Sequence, residues 1–171
     1  MIIRRVAVVG IVLAGMLALG GCDGSPAPAA STPPFASEEE AFAAAEETYR
    51  AYVDAGNTRA ADPSSASDPL TYLIGDALEA ESSAESPSPG VTTEGGIEVQ
   101  WFEGIDASET LARIRADSCL DLSQTRLVNA AGEDVTPPSR PNFVGISVAF
   151  VLIGAEYKID QLVASESGRE C

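Results

Sequence analysis

Between Val6 and Gly21 the chain runs sixteen residues without a charged side chain, directly after Arg4 and Arg5 and directly before Cys22. A positive start, an apolar middle and small residues at the end make the layout of a secretion signal. A membrane-spanning helix needs about 20 apolar residues to cross roughly 30 Å of hydrocarbon. This run is shorter and is thinned by Gly10, Gly15, Gly20 and Gly21, so cleavage is expected rather than permanent insertion. Everything downstream must then fold outside the cytoplasm.

The end of the run, Leu19, Gly20, Gly21 and Cys22, resembles the lipobox of bacterial lipoproteins, in which Leu and two small residues precede a Cys. The resemblance implies that the Cys22 thiol receives a diacylglyceryl group and that the signal, residues 1–21, is cut just before it. Cys22 would then be the first mature residue. Two acyl chains, at about 0.8 kcal/mol per buried methylene, anchor a protein stably where one chain is marginal. The competing reading is an ordinary signal peptide or short membrane anchor with an incidental Cys.

The 150 residues that remain suit one domain. Without Arg4 and Arg5 the basic side chains fall from 10 to 8 against 26 acidic ones, a formal charge of −18. Such a chain is repelled by phosphate backbones and anionic headgroups, which argues against nucleic acid and against a second, electrostatic membrane contact. The sequence has no His, so the commonest general base and neutral metal ligand are missing.

With Cys22 acylated, Cys119 and Cys171 are an even pair in an oxidising compartment, where disulfides persist. A bridge between them is expected; the alternatives are two free thiols or a metal pair without its other ligands.

Residues 22–36 read as an acylated Cys followed by a tether, because Pro26, Pro28, Pro33 and Pro34 among Gly, Ser and Ala exclude helix and sheet. The domain, 37–171, opens on a capping box, Ser37 with Glu40. Phe42, Ala45, Tyr49, Tyr52 and Val53 share one helical stripe, and Gly56 with Asn57 supplies a stop, predicting a helix over about 38–55. Asp68 and Pro69 then make a cap and a first-turn proline for a second helix carrying Leu70, Leu73, Ile74, Ala77 and Leu78, fading near Ser82. Residues 83–96, with two Pro and three Gly, read as a loop.

From Ile97 the period becomes two. Ile97, Val99 and Trp101 face one way; Ile114, Ala116, Leu120 and Leu122 share parity; Asp106 with Glu109 could instead cap a short helix over 107–112. Leu127 and Val128 end this region, and Pro137, Pro138 and Pro141 exclude regular structure up to Asn142. The strongest strand is Phe143 to Ile153, with Val144, Ile146, Val148, Phe150 and Leu152 on one face. Gly154 and Ala155 fit a two-residue hairpin turn, and Tyr157, Ile159 and Val163 alternate with polar residues on the way back. Helices followed by an antiparallel meander predict an α+β fold with the helices on one face of the sheet.

The order of a long opening helix from Ser37, a second helix and then strands, with Cys119-Leu120-Asp121-Leu122-Ser123 starting one and Gly-Arg-Glu-Cys ending at Cys171, resembles the NTF2-like domains on small lipoproteins of high-GC Gram-positive bacteria. The resemblance implies a curved sheet wrapped around the first helix as a cone, leaving a pocket or an interaction face. It also implies that an enzyme of this class would use an Asp helped by a His or Tyr inside the cone; with no His in the chain, a Tyr is left as helper, and Asp106, Asp117 and Asp121 are the available acids.

Tyr49, Tyr52, Tyr72, Trp101 and Phe150 are the candidates for lining such a pocket. The acidic groups Glu38 to Glu40, Glu46 with Glu47 and Glu133 with Asp134 lack the spaced ligands and turn Gly of a calcium loop. A serine nucleophile finds neither its elbow motif nor a His. No catalytic residue, metal or cofactor is expected. The sequence thus predicts a lipid-anchored, extracytoplasmic, non-enzymatic binding or interaction module, its partner the membrane through Cys22 plus an envelope protein or small ligand. The alternative is a His-free enzyme with an Asp base and a Tyr donor.

Overall fold

Helix α1, Glu38–Ala61, starts where the capping box predicts. Ser37 is extended and its Oγ accepts the Glu40 N–H at 3.2 Å. The Glu40 carboxylate reaches one residue further back than the motif requires, accepting the Ala36 N–H at 2.7 Å. The helix does not stop at Gly56 and Asn57. Gly56 stays helical, and the Asn57 side chain is committed elsewhere, to the backbone of Ile97. The chain leaves the helix at Asp62, immediately before Pro63, whose ring disfavours helical dihedrals in the residue preceding it.

The second helix is broken in two. Asp68 caps only a 3-10 turn, Pro69–Tyr72, and α2 occupies Gly75–Ser83. Between them Leu73 forms a parallel bridge with Ile159, and the Ile74 N–H donates to the Ile159 carbonyl at 2.8 Å. Leu73 is thereby buried, a gain that a continuous helix would forgo. Gly75 resumes the helix at φ +52, where a Cβ would also collide with the Asp160 side chain.

Six strands follow: β1 Thr92–Glu94, β2 Glu98–Ala107, β3 Arg113–Asp121, β4 Arg126–Val128, β5 Phe143–Ile153 and β6 Glu156–Ala164. The described residues are 34–83, 90–166 and 171 of a computed structural model, so Cys22, the signal and most of the tether lie outside them. β2, β3, β5 and β6 form one four-stranded antiparallel sheet in that order, and β1 with β4 a separate two-stranded one. The architecture is α+β. The β1–β4 ribbon lies partly in the stretch predicted as loop, because three-residue strands carry too few residues for a period to register.

Ala41, Ala45, Tyr49 and Val53, each four apart on α1, pack on the inner face of the large sheet with Ile114, Ala116, Val148, Phe150, Tyr157 and Ile159. The two alanines hold the helix close to the strands. The parity predicted for β3 and β5 is the parity seen, with Ile114 opposite Phe150 and Leu120 opposite Val144. Cys119 to Asp121, however, closes β3 instead of opening a strand. Residues 108–112 are a turn, not a helix: the Ser108 N–H donates to the Arg113 carbonyl, and Asp106 is a strand residue paired with Arg115.

Two bulges overturn side-chain faces predicted by simple alternation. Val99 pairs with Leu120 but Trp101 with Cys119, so Gln100 is extra and Trp101 turns to the outer face while Phe102 turns inward. Phe150 pairs with Ile159 but Ala149 with Gln161, so Asp160 is extra. Leu162 then packs against the core, and Val163 is left 48% exposed.

Candidate functional site

The space between α1 and the sheet is filled by aromatic rings. Tyr49 lies against Phe102 with ring centres 5.9 Å apart, Phe102 against Phe150 at 6.0 Å edge-on, and Phe150 against Tyr157 at 6.2 Å. Phe35, placed by the sequence in the free tether, stacks on Tyr157 at 5.2 Å. The end of the tether is therefore packed on the domain through a half-buried ring. Burial pushes the Tyr49 phenol up to about 12, with an interaction from Ser118 partly opposing the shift. The Ser118 Oγ itself makes no hydrogen bond of normal geometry.

Open space lies at the margins of this core. At the start of α1 a cleft of about 360 Å³ is walled by Phe35, Glu47, Tyr72 and Tyr157 and by Lys158. The Lys158 Nζ donates to the Thr71 carbonyl at 3.1 Å and stands 3.6 Å from Glu156. On the outer face of the sheet a groove of about 310 Å³ runs between Ile105 and Val163 over Asp117, Ser147 and Gln161.

The third cleft, about 330 Å³, lies along the C-terminal half of α1. Its apolar walls are Val53, Ala60, Pro69, Ile97 and Leu120, and its polar members include Tyr52, Asn57, Glu81 and Thr125. One end is held by Asn57, whose amide donates to the Ile97 carbonyl at 2.8 Å and whose oxygen accepts the Ile97 N–H at 2.9 Å. The Asn57 side chain thus acts as one more partner for the start of β2. Thr125 is fixed from behind by Arg140, which donates to its Oγ1 and carbonyl at 2.8 and 2.7 Å.

Tyr52 and Glu81 make the polar contact of this cleft. The Tyr52 hydroxyl donates to the Glu81 carboxylate at 3.4 Å, a long bond. Burial, and next the charge of Glu81, raise the Tyr52 phenol well above its ordinary range. It is therefore a hydrogen-bond donor and not a base at neutral pH.

The five aromatic residues singled out from the sequence are divided among these places. Tyr49 and Phe150 are fully buried and line none of these three clefts. Tyr52 lines the third cleft and Tyr72 the first. Trp101 is on the outer sheet face, in cross-strand register with Cys119. Tyr157, which the sequence reading took only as a strand residue, turns out to be a second buried phenol, its hydroxyl donating to the Leu111 carbonyl at 2.6 Å.

The three aspartates considered as bases all stand on the outer face. Asp106 is 3.2 Å from Arg115, Asp117 accepts the Ser147 hydroxyl at 2.5 Å, and Asp121 accepts the Gln100 amide at 3.3 Å. None meets a tyrosine. Nothing in the sequence singles out Glu81 for this cleft, and Asn57, beside Gly56, carries only the signal of a helix stop.

Cys119 and Cys171 are joined, with S–S 2.01 Å and Cα atoms 5.3 Å apart. The bridge lies on the outer face beside Gly145, the cross-strand partner of Cys119. A Cβ at Gly145 would come within 3.2 Å of Ser165 and 4.0 Å of Cys171, so the glycine makes room for the returning C-terminal segment.

Among the described residues no group of three or more Cys, Asp or Glu could hold a metal ion, and no helix is long and apolar enough to cross a membrane. No family model matches the chain, no curated protein matches it, and no solved structure matches it.

Proposed function

We propose that the protein is a membrane-anchored lipoprotein, acylated on Cys22, whose extracytoplasmic domain is a small NTF2-like cone serving as a non-enzymatic binding module of the cell envelope. The observation that carries this reading is the Cys119–Cys171 bridge, in a chain whose remaining Cys, Cys22, ends a stretch that resembles a lipobox. Disulfides persist outside the cytoplasm, so the domain and the N-terminal motif point to the same compartment. Binding rather than catalysis is favoured by the filled interior and by the outward stance of Asp106, Asp117 and Asp121.

Mass spectrometry of the intact protein from its own membrane, with and without reduction and alkylation, tests the reading. The expected mass begins at Cys22 with a diacylglyceryl group, and alkylation labels two thiols only after reduction. An unprocessed chain with freely labelled thiols would refute it. The alternative, a His-free enzyme pairing an Asp base with a Tyr donor in the cone, is supported only to the extent that a carboxylate, Glu81, lies within reach of Tyr52.

A further inference from the structure

We infer that the cleft along the C-terminal half of α1 binds a small organic cation, a protonated amine carried on an apolar body. The inference rests on the binding-module reading and names the ligand class of that module. Its first support is charge. No Lys or Arg is among the described residues lining the cleft, and Glu81 has the Tyr52 hydroxyl at 3.4 Å as a polar contact and, among the described residues, no ion-pair partner. The basic residues behind the cleft walls are already engaged. Arg140 is held by Thr125 and the Leu122 carbonyl, and Arg59 donates to the Ser67 carbonyl and stands 3.8 Å from Asp68. A carboxylate without a cation at the rim of an apolar cleft attracts an ammonium through its charge and a charge-assisted hydrogen bond.

The second support is shape and surface. Val53, Ile97 and Leu120 offer an apolar wall, while Asn57 has both amide atoms committed to Ile97. An uncharged polar ligand would find few open partners there, whereas an apolar body would displace water from the wall at no loss of hydrogen bonds. The acidic chain also raises the local concentration of cations and repels anions.

The test uses the full, disulfide-bonded protein in detergent and three probes of equal apolar size: 2-phenylethylamine, 2-phenylethanol and 3-phenylpropanoate. Calorimetric titration should show saturable binding of the amine, about three- to tenfold weaker binding of the alcohol, and none of the carboxylate. Glu81→Gln, at an exposed position, should bring the amine down to the level of the alcohol. Glu47→Gln, in the other cleft, should leave the preference intact. Added salt should weaken the amine and spare the alcohol, a readout that needs no variant.

Equal binding of amine and alcohol, an unchanged preference in Glu81→Gln, or no binding of any probe would overturn the inference. The lipidation and disulfide masses decide the module reading separately, so the two can fail independently.

Discussion

Phe42 of α1 packs directly over Gly104 of β2: a Cβ on Gly104 would fall under 3.0 Å from three atoms of the Phe42 ring. The glycine is required by this close approach of helix to sheet and not by its backbone angles. It lies between the two irregular positions of β2, at Gln100 and Ile105. Gly104→Ala should therefore destabilise the domain by about 1–3 kcal/mol, read as a lower urea midpoint with an unchanged slope. Adding Phe42→Leu, which relieves the clash, should recover part of the loss.

The disulfide closes a separation of 52 residues. The chain-entropy treatment gives about 4 kcal/mol for a loop of this size. Cys171→Ser should lower the thermal midpoint markedly and make it insensitive to reductant, whereas reductant should lower the midpoint of the unaltered protein. A midpoint that is the same with and without the bridge would show that the C-terminal segment is held by its other contacts, such as the Ser165 N–H on the Gly145 carbonyl at 2.9 Å.

Asn57 couples α1 to the start of β2 through two hydrogen bonds to one residue. Asn57→Ala leaves the half-buried Ile97 amide and carbonyl without these partners, a cost of about 1–3 kcal/mol. Hydrogen exchange should accelerate at Ile97 in particular. Asn57→Asp should restore the bond to the Ile97 N–H but not the one to its carbonyl, and so recover only part of the protection.

Tyr49 should make stability fall at high pH. Its phenol is raised from 10.0 to about 12 in the folded protein by burial, while in the unfolded chain it ionises near 10. Below pH 10 both states keep the proton and stability is unaffected. Between pH 10 and about 12 the unfolded state loses its proton first, so stability declines with rising pH, by up to roughly 2–3 kcal/mol from this group. Denaturation measured at about pH 9 and about pH 11 should show a smaller difference for Tyr49→Phe than for the unaltered protein.

Much of the framework was legible because it is encoded locally. The start of α1 follows from Ser37 and Glu40, and the β5–β6 hairpin from Gly154, whose φ of +67 joins the paired Ile153 and Glu156. The inward face of β5 follows from its unbroken alternation, and that of β3 from the shared parity of Ile114, Ala116 and Leu120. The site was far less legible. Tyr52 is one of five aromatic candidates with nothing to rank it, and its companion Glu81 is one of three acids on a helix whose start the sequence places too early. Their meeting depends on how α2 lies beside α1 across 29 residues of sequence, a separation no periodic pattern spans.

The sequence by itself determined the α+β class, the cysteine pair and the elements whose period is uninterrupted, because capping, turn chemistry and alternation act between residues a few positions apart. The tertiary structure alone decided that Trp101 and Val163 turn outward, that Leu73 and Ile74 leave the helix to join Ile159, and that Leu111 holds a φ of +56. At Leu111 a strained backbone is tolerated because its side chain is buried and its carbonyl receives the Tyr157 hydroxyl. A bulge shifts every later side chain by one face, and whether it forms is settled by the strand across from it. Local propensity does not contain that information; the packing of β2 and β6 against their neighbours does.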